Sequence, residues 1–525
     1  MRQPIRTLFT ALAVIAATLL SGAVAAPEGT LRVGVRTEAD IWDPHVASDF
    51  STIAQLRNVY EPLVDLSPEL ELQGVLAESW EVSDDALTYT FNLRPGVTFT
   101  DGTSFDAEAA KFSLERLIEL QRSGAYLSLQ NVDVIEVVDS LTLRVTLAQP
   151  FAPFLRSLWL AWMVSPTTVD EHAGEDGGRS WLEENSAGTG PYLLAERERG
   201  EKIVLEANED YWGGWTGSHF ATVELQTVPE AATQRLMLER GDLDITLLYE
   251  PAYIEGYADT EGVKVEGGPT LDQIFARIQI DGGPTADRRV RQALNYLWDG
   301  EVYAELMDGM AAPSPGPLVP ELLGGEAVPN PYTYDPERGL ELLAEAGYPN
   351  GEGLRLQIWT HQPDPTKKVL AEAIQAVLAS SGVSAEIQTA EWSAIRKTVV
   401  DYSNTSDEAL RKELMIFNIK TRYGDPRELF QFLYHSDSMH GQGNNYMNYS
   451  NPEVDRLIDE AMASASEDEA LELMREAAAI VIEDAPDIFA GRMQAFVPMR
   501  DDVAGYTHRP MTAELIHFYD LHRAE

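Results

Sequence analysis

The sequence predicts an α/β protein of two lobes, with an α+β module inserted into the first lobe. Three observations support this fold class. The chain has 525 residues, which is too long for a single hydrophobic core. Strand–helix–strand patterns, which are typical of α/β layers, occur in two separate stretches of the chain. A segment of predicted hairpins with one long helix interrupts the first of these stretches.

The first lobe is predicted from residues 26–70 and 186–282. It begins with an alternating apolar strand over 30–35. After the interruption, a strand, a helix and a second strand follow one another between residues 203 and 248. This order is the repeating unit of an α/β layer, so both segments are expected to share one sheet.

The inserted module is predicted over residues 71–185. Residues 77–82 and 87–93 have the composition of two antiparallel strands, and residues 132–147 that of a hairpin. Between them, Asp106 is an N-cap for a helix that extends to Leu120 with its apolar residues on one face.

The second lobe is predicted over residues 283–500, and residues 501–525 are expected to return to the first lobe. From Val290, apolar residues at positions i, i+4, i+7 and i+8 indicate a helix with one buried face. Strands over 355–359 and 383–389 flank a helix over 366–381. These elements form a second α/β layer.

The N-terminus is predicted to be a cleaved secretory signal peptide over residues 1–25. Arg2 and Arg6 precede an apolar run over residues 8–20, and Ala23-Val24-Ala25 has the small residues of a cleavage site. The apolar run is too short for a membrane span. The chain has no cysteine, which excludes disulfides, thiolate sites and a lipid-anchoring cysteine. We therefore expect a soluble periplasmic protein of a Gram-negative cell.

The formal net charge is −46, and it becomes −48 when two arginines leave with the signal peptide. Binding to nucleic acid requires a basic surface, so nucleic acid is excluded as a partner. The acidic residues are spread along the chain, which is typical of a solvated surface and would suit a saline medium.

The sequence contains no G-x-S-x-G motif of serine hydrolases, no H-E-x-x-H motif of zinc proteases and no EF-hand calcium loop. His435 and His440 would need further metal ligands, and Asp437 is one candidate only. The sequence therefore predicts no catalytic residues, no metal site and no cofactor.

The stretch over residues 414–430 is the strongest candidate for a binding site. An apolar strand-forming run becomes polar at Lys420, a Gly-Asp-Pro turn follows, and a helix is predicted after it. A strand with a polar and aromatic end beside a turn often faces a cleft, although a buried strand that reaches the surface has the same pattern. Asn418 and Lys420 alternate with Arg422 and should face the same side.

Short motifs occur in order from about residue 30 to the end of the chain. They are Asp43-Pro-His45, Leu76-Ala-Glu-Ser-Trp-Glu-Val82, Tyr89-Thr-Phe-Asn-Leu-Arg94, Phe99-Thr-Asp-Gly-Thr103, Gly188-Thr-Gly-Pro-Tyr192, Asn208-Glu-Asp-Tyr-Trp212, Val290-Arg-Gln-Ala-Leu-Asn295, Tyr334-Asp-Pro-Glu337, Leu342-Leu-Ala-Glu-Ala-Gly347 and Asn451-Pro-Glu-Val-Asp455. In these motifs the chain resembles the periplasmic solute-binding proteins of ABC importers, family 5, the oligopeptide/dipeptide/nickel/opine-binding class.

The resemblance implies a two-lobed periplasmic-binding-protein fold of type II, cluster C-like, with an extra domain in the first lobe. Two hinged lobes would close on a small solute, as in other hinge transitions. The loaded protein, expected to be a monomer, would dock on an ABC permease in the inner membrane. The solute would not be changed chemically, so the resemblance does not imply an enzyme.

The resemblance also implies where the ligand binds. In peptide binders of this family, an aspartate just before the Tyr of the pocket strand receives the amino group of the ligand, and Arg422 occupies that position here. A guanidinium repels an ammonium group and suits a carboxylate, a phosphate or sugar hydroxyls. A peptide with a free N-terminus is therefore disfavoured. Alternatively, Arg422 is paired internally, with Asp425 or with an acid across the cleft such as Asp49.

The expected ligand contacts combine this strand with the segment just after Asp43-Pro-His45, which resembles the opposite wall, and with an aromatic residue just past a strand end. They are Ser48, Asp49, Phe50, Trp392, Asn418, Lys420, Arg422 and Tyr423.

Three alternatives remain open. One is a peptide binder that holds an oligopeptide or dipeptide by backbone pairing alone. Another is an exported hydrolase such as a glycosidase, which would consume its ligand, whereas a binding protein returns the ligand unchanged. The third is a periplasmic chaperone, which would bind unfolded chains with little selectivity.

Overall fold

The structure of the protein is a computed structural model. Two long antiparallel strands connect its two halves. The structure describes residues 26–39, 41–123, 125–215, 219–247, 254–362, 364–511 and 515–524. The signal peptide predicted over residues 1–25 lies outside the described residues. No helix among the described residues has the length and apolar character needed to cross a membrane.

Strands and helices are interspersed along the chain, and they alternate one by one between residues 311 and 419. The strands are β1 (Thr30–Val35), β2 (Val64–Leu66), β3 (Leu72–Gly74), β4 (Ala77–Val82), β5 (Thr88–Leu93), β6 (Val132–Asp139), β7 (Thr142–Leu147), β8 (Tyr192–Glu198), β9 (Lys202–Ala207), β10 (Thr222–Thr227), β11 (Ile245–Thr246), β12 (Val263–Ile278), β13 (Ala311–Ala312), β14 (Arg355–His361), β15 (Ser384–Ala390), β16 (Leu414–Ile419), β17 (Asp487–Arg500), β18 (Val503–Ala504) and β19 (His522–Arg523).

The helices range from single turns to the long helices of the second lobe. They are α1 (Phe50–Leu56), α2 (Ala107–Leu120), α3 (Tyr126–Leu129), α4 (Phe154–Ser157), α5 (Pro166–Glu171), α6 (Arg179–Leu182), α7 (Ala231–Arg240), α8 (Ile254–Ala258), α9 (Arg288–Leu297), α10 (Gly300–Leu306), α11 (Pro336–Glu345), α12 (Pro365–Ser380), α13 (Trp392–Thr405), α14 (Pro426–Leu433), α15 (Pro452–Ala463) and α16 (Glu467–Asp484).

One mixed eleven-stranded sheet contains strands of both lobes, in the order β15-β14-β16-β12-β17-β11-β1-β10-β9-β8, with β13 also beside β17. Lobe 1 contributes β1 and β8 to β11, and lobe 2 contributes β13 to β16. Parallel pairs, such as β1 with β10 and β14 with β15, lie within each lobe, as expected for α/β layers.

Strands β12 and β17 cross from one lobe to the other. Residues 263–269 of β12 pair with 494–500 of β17 on the lobe 1 side, and residues 273–278 pair with β16 on the lobe 2 side. The register of the β12–β17 pair shifts between Pro269 and Gln273. Such an irregularity bends a strand pair locally, and this one lies between the part of β12 that pairs on the lobe 1 side and the part that pairs with β16. The domain boundaries placed at 282/283 and 500/501 stay predictions.

The inserted module has its own four-stranded antiparallel sheet in the order β4-β5-β7-β6, which confirms the strands and the hairpin predicted for it. Helix α2 begins where expected, because the Asp106 side chain accepts a hydrogen bond from the Ala109 amide at 3.0 Å. Helix α2 contacts β6 and β7 and buries Leu114 and Leu117.

The buried apolar residues form two main clusters. One extends from lobe 1 through the inserted module to helices α14 to α16, and it includes Trp159 and Tyr423. The other is the interior of lobe 2 around β14, β16 and helices α9, α11 and α12. The first cluster therefore passes through the contact between the inserted module and the end of β16.

Candidate ligand-binding cleft

A cavity of about 420 Å³ lies where β16 ends and α14 begins. Its lining includes a subset of the residues predicted from the sequence: Phe50, Asn418, Lys420, Arg422 and Tyr423. Apolar side chains of β16 and α14 complete much of the wall, and among them Phe432 is 40% exposed. The cavity is therefore amphipathic: Lys420, Arg422 and the buried Glu428 line it together with apolar and aromatic side chains.

The lobe 1 side of the cavity is formed by the start of α1. Asp49 is the N-cap of this helix, and its side chain accepts a hydrogen bond from the Thr52 amide at 2.9 Å. This cap places Phe50 at the first helical position, where it faces lobe 2. The Lys420 Nζ atom lies 4.2 Å from the centroid of the Phe50 ring, a cation–π contact between the lobes. Ser48 and Asp49 are exposed beside it.

Trp392 lies next to the cavity and is not among the residues that line it. Its ring centroid is 5.6 Å from that of Phe417 and 5.7 Å from that of Tyr446. Phe417 is part of the cavity wall, so this aromatic cluster supports the wall from behind. Ligand contacts from Trp392, Ser48 and Asp49 stay predictions.

A charged pair lies at the point where β12 and β16 leave their regular pairing. The Lys420 Nζ atom is 3.9 Å from Asp272 Oδ2 on the neighbouring strand. Burial raises the pKa of Asp272 above its ordinary value, and Lys420 and Lys367 oppose this rise. Sequence reasoning missed Asp272, because its position opposite Lys420 follows only from the pairing of Gln273 with Ile419.

The Arg422 side chain is exposed, and it forms no ion pair with any residue that the structure describes. The backbone amide and carbonyl of Arg422, by contrast, both have hydrogen-bond partners. The Arg422 amide donates to Glu428 Oε2 at 3.1 Å, and the Arg422 carbonyl accepts from Trp159 Nε1 at 3.0 Å. The backbone is thus fixed and the guanidinium is presented to the cavity.

The internal partners proposed for Arg422 are engaged elsewhere. Asp425 accepts a hydrogen bond from Arg427 Nη2 at 2.6 Å. Although burial acts to raise the pKa of Asp425, its ion pair with Arg427 holds that pKa below the ordinary value. Asp49 caps α1. In this structure the alternative of an internally paired Arg422 is therefore not realised with either acid.

Glu428 is a buried carboxyl group beneath the Arg422 backbone that sequence reasoning missed. Its Oε2 atom accepts hydrogen bonds from Thr421 Oγ1 at 2.7 Å, from the Arg422 amide at 3.1 Å and from the Tyr423 amide at 3.4 Å. Burial raises the pKa of Glu428 to about 7, and these hydrogen bonds oppose the rise. The carboxyl group organises the end of the strand.

A second buried carboxyl group joins two of the short motifs. Glu61 accepts hydrogen bonds from Thr189 Oγ1 at 2.7 Å, Tyr211 OH at 2.9 Å and Trp212 Nε1 at 2.8 Å. Burial raises the pKa of Glu61 to about 7, against the effect of these donors. The motifs that contain Thr189 and Trp212 therefore meet at one point of lobe 1 and have a structural role.

The two histidines considered as metal ligands are used in local hydrogen bonds. His435 Nδ1 accepts from the Asp437 amide at 3.1 Å, and His440 Nδ1 lies 2.9 Å from Ser403 Oγ. Within the described part of the chain, no group of three or more His, Cys, Asp or Glu side chains is arranged to hold a metal ion.

Comparison with known proteins adds to this geometry. The family model of the bacterial extracellular solute-binding proteins, family 5 (middle), matches residues 71–441. The chain is 30% identical over 484 residues to heme-binding protein A of Haemophilus influenzae, covering 87% of this chain and 86% of that protein. It is 28% identical over 517 residues to the probable D,D-dipeptide-binding periplasmic protein DdpA of Escherichia coli, covering 96% and 97%.

Among solved structures, HbpA2 from Haemophilus parasuis superposes with a TM-score of 0.84. The sequence identity is 23%, and the match covers 95% of this chain and 100% of that chain. This likeness confirms the two-lobed fold predicted from the sequence.

Proposed function

The chain belongs to the bacterial extracellular solute-binding proteins of family 5, and from this premise we propose that it captures a small anionic solute between its lobes for an ABC importer. The solute carries a carboxylate or a phosphate beside an apolar or peptide-like body. It is released unchanged to an inner-membrane permease.

The observation that carries this proposal is the state of Arg422. Its backbone is held by Glu428 and Trp159, and its guanidinium is exposed at the cavity without an ion-pair partner among the described residues. An arginine whose backbone is fixed and whose guanidinium has no ion-pair partner among the described residues is suited to a bidentate contact with a ligand anion. Lys420, whose Nζ atom lies 3.9 Å from Asp272 Oδ2, is a second cationic side chain at the same wall.

The cavity also favours an apolar or aromatic part in the ligand. Phe50, Phe417 and Phe432 line it together with the cations. Its volume of about 420 Å³ suits a small molecule. The relatives named above are described as binding heme and D,D-dipeptides: heme carries carboxylates on a large apolar body, and a dipeptide carries one carboxylate together with a free amino group.

A peptide-like ligand that pairs with the backbone is the second candidate, and the sheet pairing favours it. Strand β16 pairs with β12 along residues 414–419, whereas its pairing with β14 is formed at Leu414 and Met415. Among the described residues, no strand pairs with residues 416–419 of β16 on the β14 side, and Phe417, Asn418 and Ile419 line the cavity. An extended ligand backbone could add to this edge, with Arg422 receiving a carboxylate.

Native mass spectrometry of protein purified without denaturation is the first test, since it identifies a solute that the protein retains. Thermal shift assays follow, with hemin and glutathione as anionic ligands and with D-Ala-D-Ala and Met-Leu as zwitterionic dipeptides, because a ligand that binds the folded state raises the melting temperature. We expect a retained or stabilising anionic solute that is recovered chemically intact. A consumed solute would instead indicate a hydrolase.

The role of Arg422 is tested by Arg422→Gln, which removes the charge and keeps a polar side chain. Arg122→Gln is the matched control, because Arg122 is an exposed arginine of the inserted module. The retained solute should be lost from Arg422→Gln and kept by Arg122→Gln. Equal retention by both variants would show that Arg422 does not hold the anion.

A further inference from the structure

The loop over residues 421–425, here called the Arg422 loop, connects β16 to α14 and is held from two directions. On its amide side, Glu428 of the same lobe accepts the Arg422 and Tyr423 N–H groups. On its carbonyl side, Trp159 Nε1 donates to the Arg422 carbonyl at 3.0 Å, and Arg156 Nη1 donates to the Gly424 carbonyl at 3.1 Å.

Trp159 and Arg156 come from the inserted module. Arg156 lies in α4, and Trp159 lies in the 3-10 turn Leu158–Leu160 that follows. The segment is anchored on the sheet of the module, because the Phe154 and Tyr89 rings have centroids 4.7 Å apart. Trp159 is 3% exposed, so its indole N–H would lose its acceptor at a buried position if the loop moved away.

Arg156 connects three parts of the molecule. Its Nη1 atom also donates to the Leu70 carbonyl of lobe 1 at 2.8 Å, and its Nη2 atom donates to Glu467 of helix α16 at 3.1 Å. The loop approaches lobe 1 closely at Gly424, where φ is +62° and a Cβ atom would lie 3.2 Å from Leu66 Cδ1. The loop therefore lies between lobe 2, lobe 1 and the inserted module.

We propose that the inserted module has a role in ligand binding: Trp159 and Arg156 are positioning residues that hold the Arg422 loop across the lobe boundary and set the orientation of Arg422 in the cleft. This inference rests on the proposed function, in which Arg422 meets the anion of the solute. A loop freed from these contacts samples more conformations, and ordering it again on binding costs affinity.

Hydrogen–deuterium exchange of the ligand-free protein tests the inference without any ligand. Trp159→Phe removes the indole N–H and keeps an aromatic ring. Because a typical hydrogen bond contributes about 0.5–1.5 kcal/mol, exchange in a peptide covering residues 420–430 should become about 2- to 12-fold faster. The melting temperature should change little.

Trp298→Phe is the matched control, because Trp298 Nε1 also donates to a backbone carbonyl at 3.0 Å, that of Ala490 in lobe 2. It should leave the exchange of residues 420–430 at the wild-type rate. If the Trp159 hydrogen bond only stabilised the fold, both variants would have a lower melting temperature, and the amides of the Arg422 loop would stay protected in both. That result, or an equal rise in loop exchange in both variants, would overturn the inference.

A pair of substitutions at Arg156 gives an independent reading. Arg156→Lys keeps a cationic donor and should retain most of the protection of the Arg422 loop, whereas Arg156→Met should lose it. Equal protection in the two variants would count against a positioning role. Since no solute is added in these experiments, their failure would not affect the test of Arg422→Gln, and a failure of that test would leave these results interpretable.

Discussion

Replacing Glu428 by Gln should remove a pH dependence of stability that the wild-type protein has. The Glu428 side chain is 7% exposed, and burial raises its pKa to about 7 from an ordinary value of 4.5. Gln is a suitable substitute because the Oε2 atom of Glu428 accepts three hydrogen bonds, each 3.4 Å or shorter. The amide oxygen of Gln can accept the same three bonds.

The direction follows from the proton balance of the two states. Below pH 4.5 the carboxyl group is protonated in both the folded and the unfolded chain and has no net effect. Between pH 4.5 and 7 the unfolded chain releases this proton while the folded protein retains it, so stability falls as the pH rises. A rise in pKa of this size corresponds to about 3 kcal/mol, which is reached above pH 7.

Melting temperatures of the wild-type protein and of Glu428→Gln, measured from pH 5 to pH 8, check this reasoning. The variant should be near the wild type at pH 5 and melt a few degrees higher at pH 8. Glu69→Gln, which removes an exposed carboxylate from lobe 1, controls for the change in net charge. A difference between wild type and Glu428→Gln that does not vary with pH would refute the assignment of this buried carboxyl group.

Three further outcomes are expected. Arg422→Gln should weaken binding of the retained solute by about 1.5–3 kcal/mol, measured by calorimetry, because a charge-assisted contact is lost. Gly424→Ala should lower stability by about 1 kcal/mol or more, and by more than Gly309→Ala, since both glycines have positive φ but only Gly424 has Leu66 within 4 Å. Glu61→Ala should destabilise lobe 1 in denaturant titrations by about 1 kcal/mol for each of the three buried donors that lose their acceptor. Similar melting of Glu61→Ala and Glu61→Gln would contradict that account.

The local elements were predictable because their causes are local. The side chains of Asp106 and Asp425 cap α2 and α14 within a few residues, and the Pro that follows Asp425 suits the first position of α14. The alternating strands of the inserted module follow from a period of two, with one face buried. Such features depend on neighbours in the chain, so the sequence is sufficient to locate them.

Parts of the candidate cleft were predictable from motifs. Phe50, Asn418, Lys420, Arg422 and Tyr423 were expected from the resemblance, and the structure brings them to one cavity. The sequence indicated which segments would form the cleft, because each segment carries its own turn and capping residues. It left open whether Arg422 has an internal partner.

Other parts depend on contacts between distant residues. Asp272 lies opposite Lys420 because β12 pairs with β16, a strand more than a hundred residues further along the chain. Trp159 donates to the Arg422 carbonyl from the inserted module. A buried indole or carboxyl group selects the partner that the assembled fold brings near, and no local pattern encodes that partner.

By itself, then, the sequence determined the two-lobed class of this protein, its caps and strands, and the segments that meet in the cleft. Only the tertiary structure decided that the Arg422 backbone is held and that its guanidinium has no ion-pair partner among the described residues. The physical reason is that this state depends on three other groups. Trp159 and Arg156 are distant in the chain, and Glu428 is buried beneath the Arg422 backbone. Their desolvation and hydrogen bonding exist only once the lobes and the inserted module have packed.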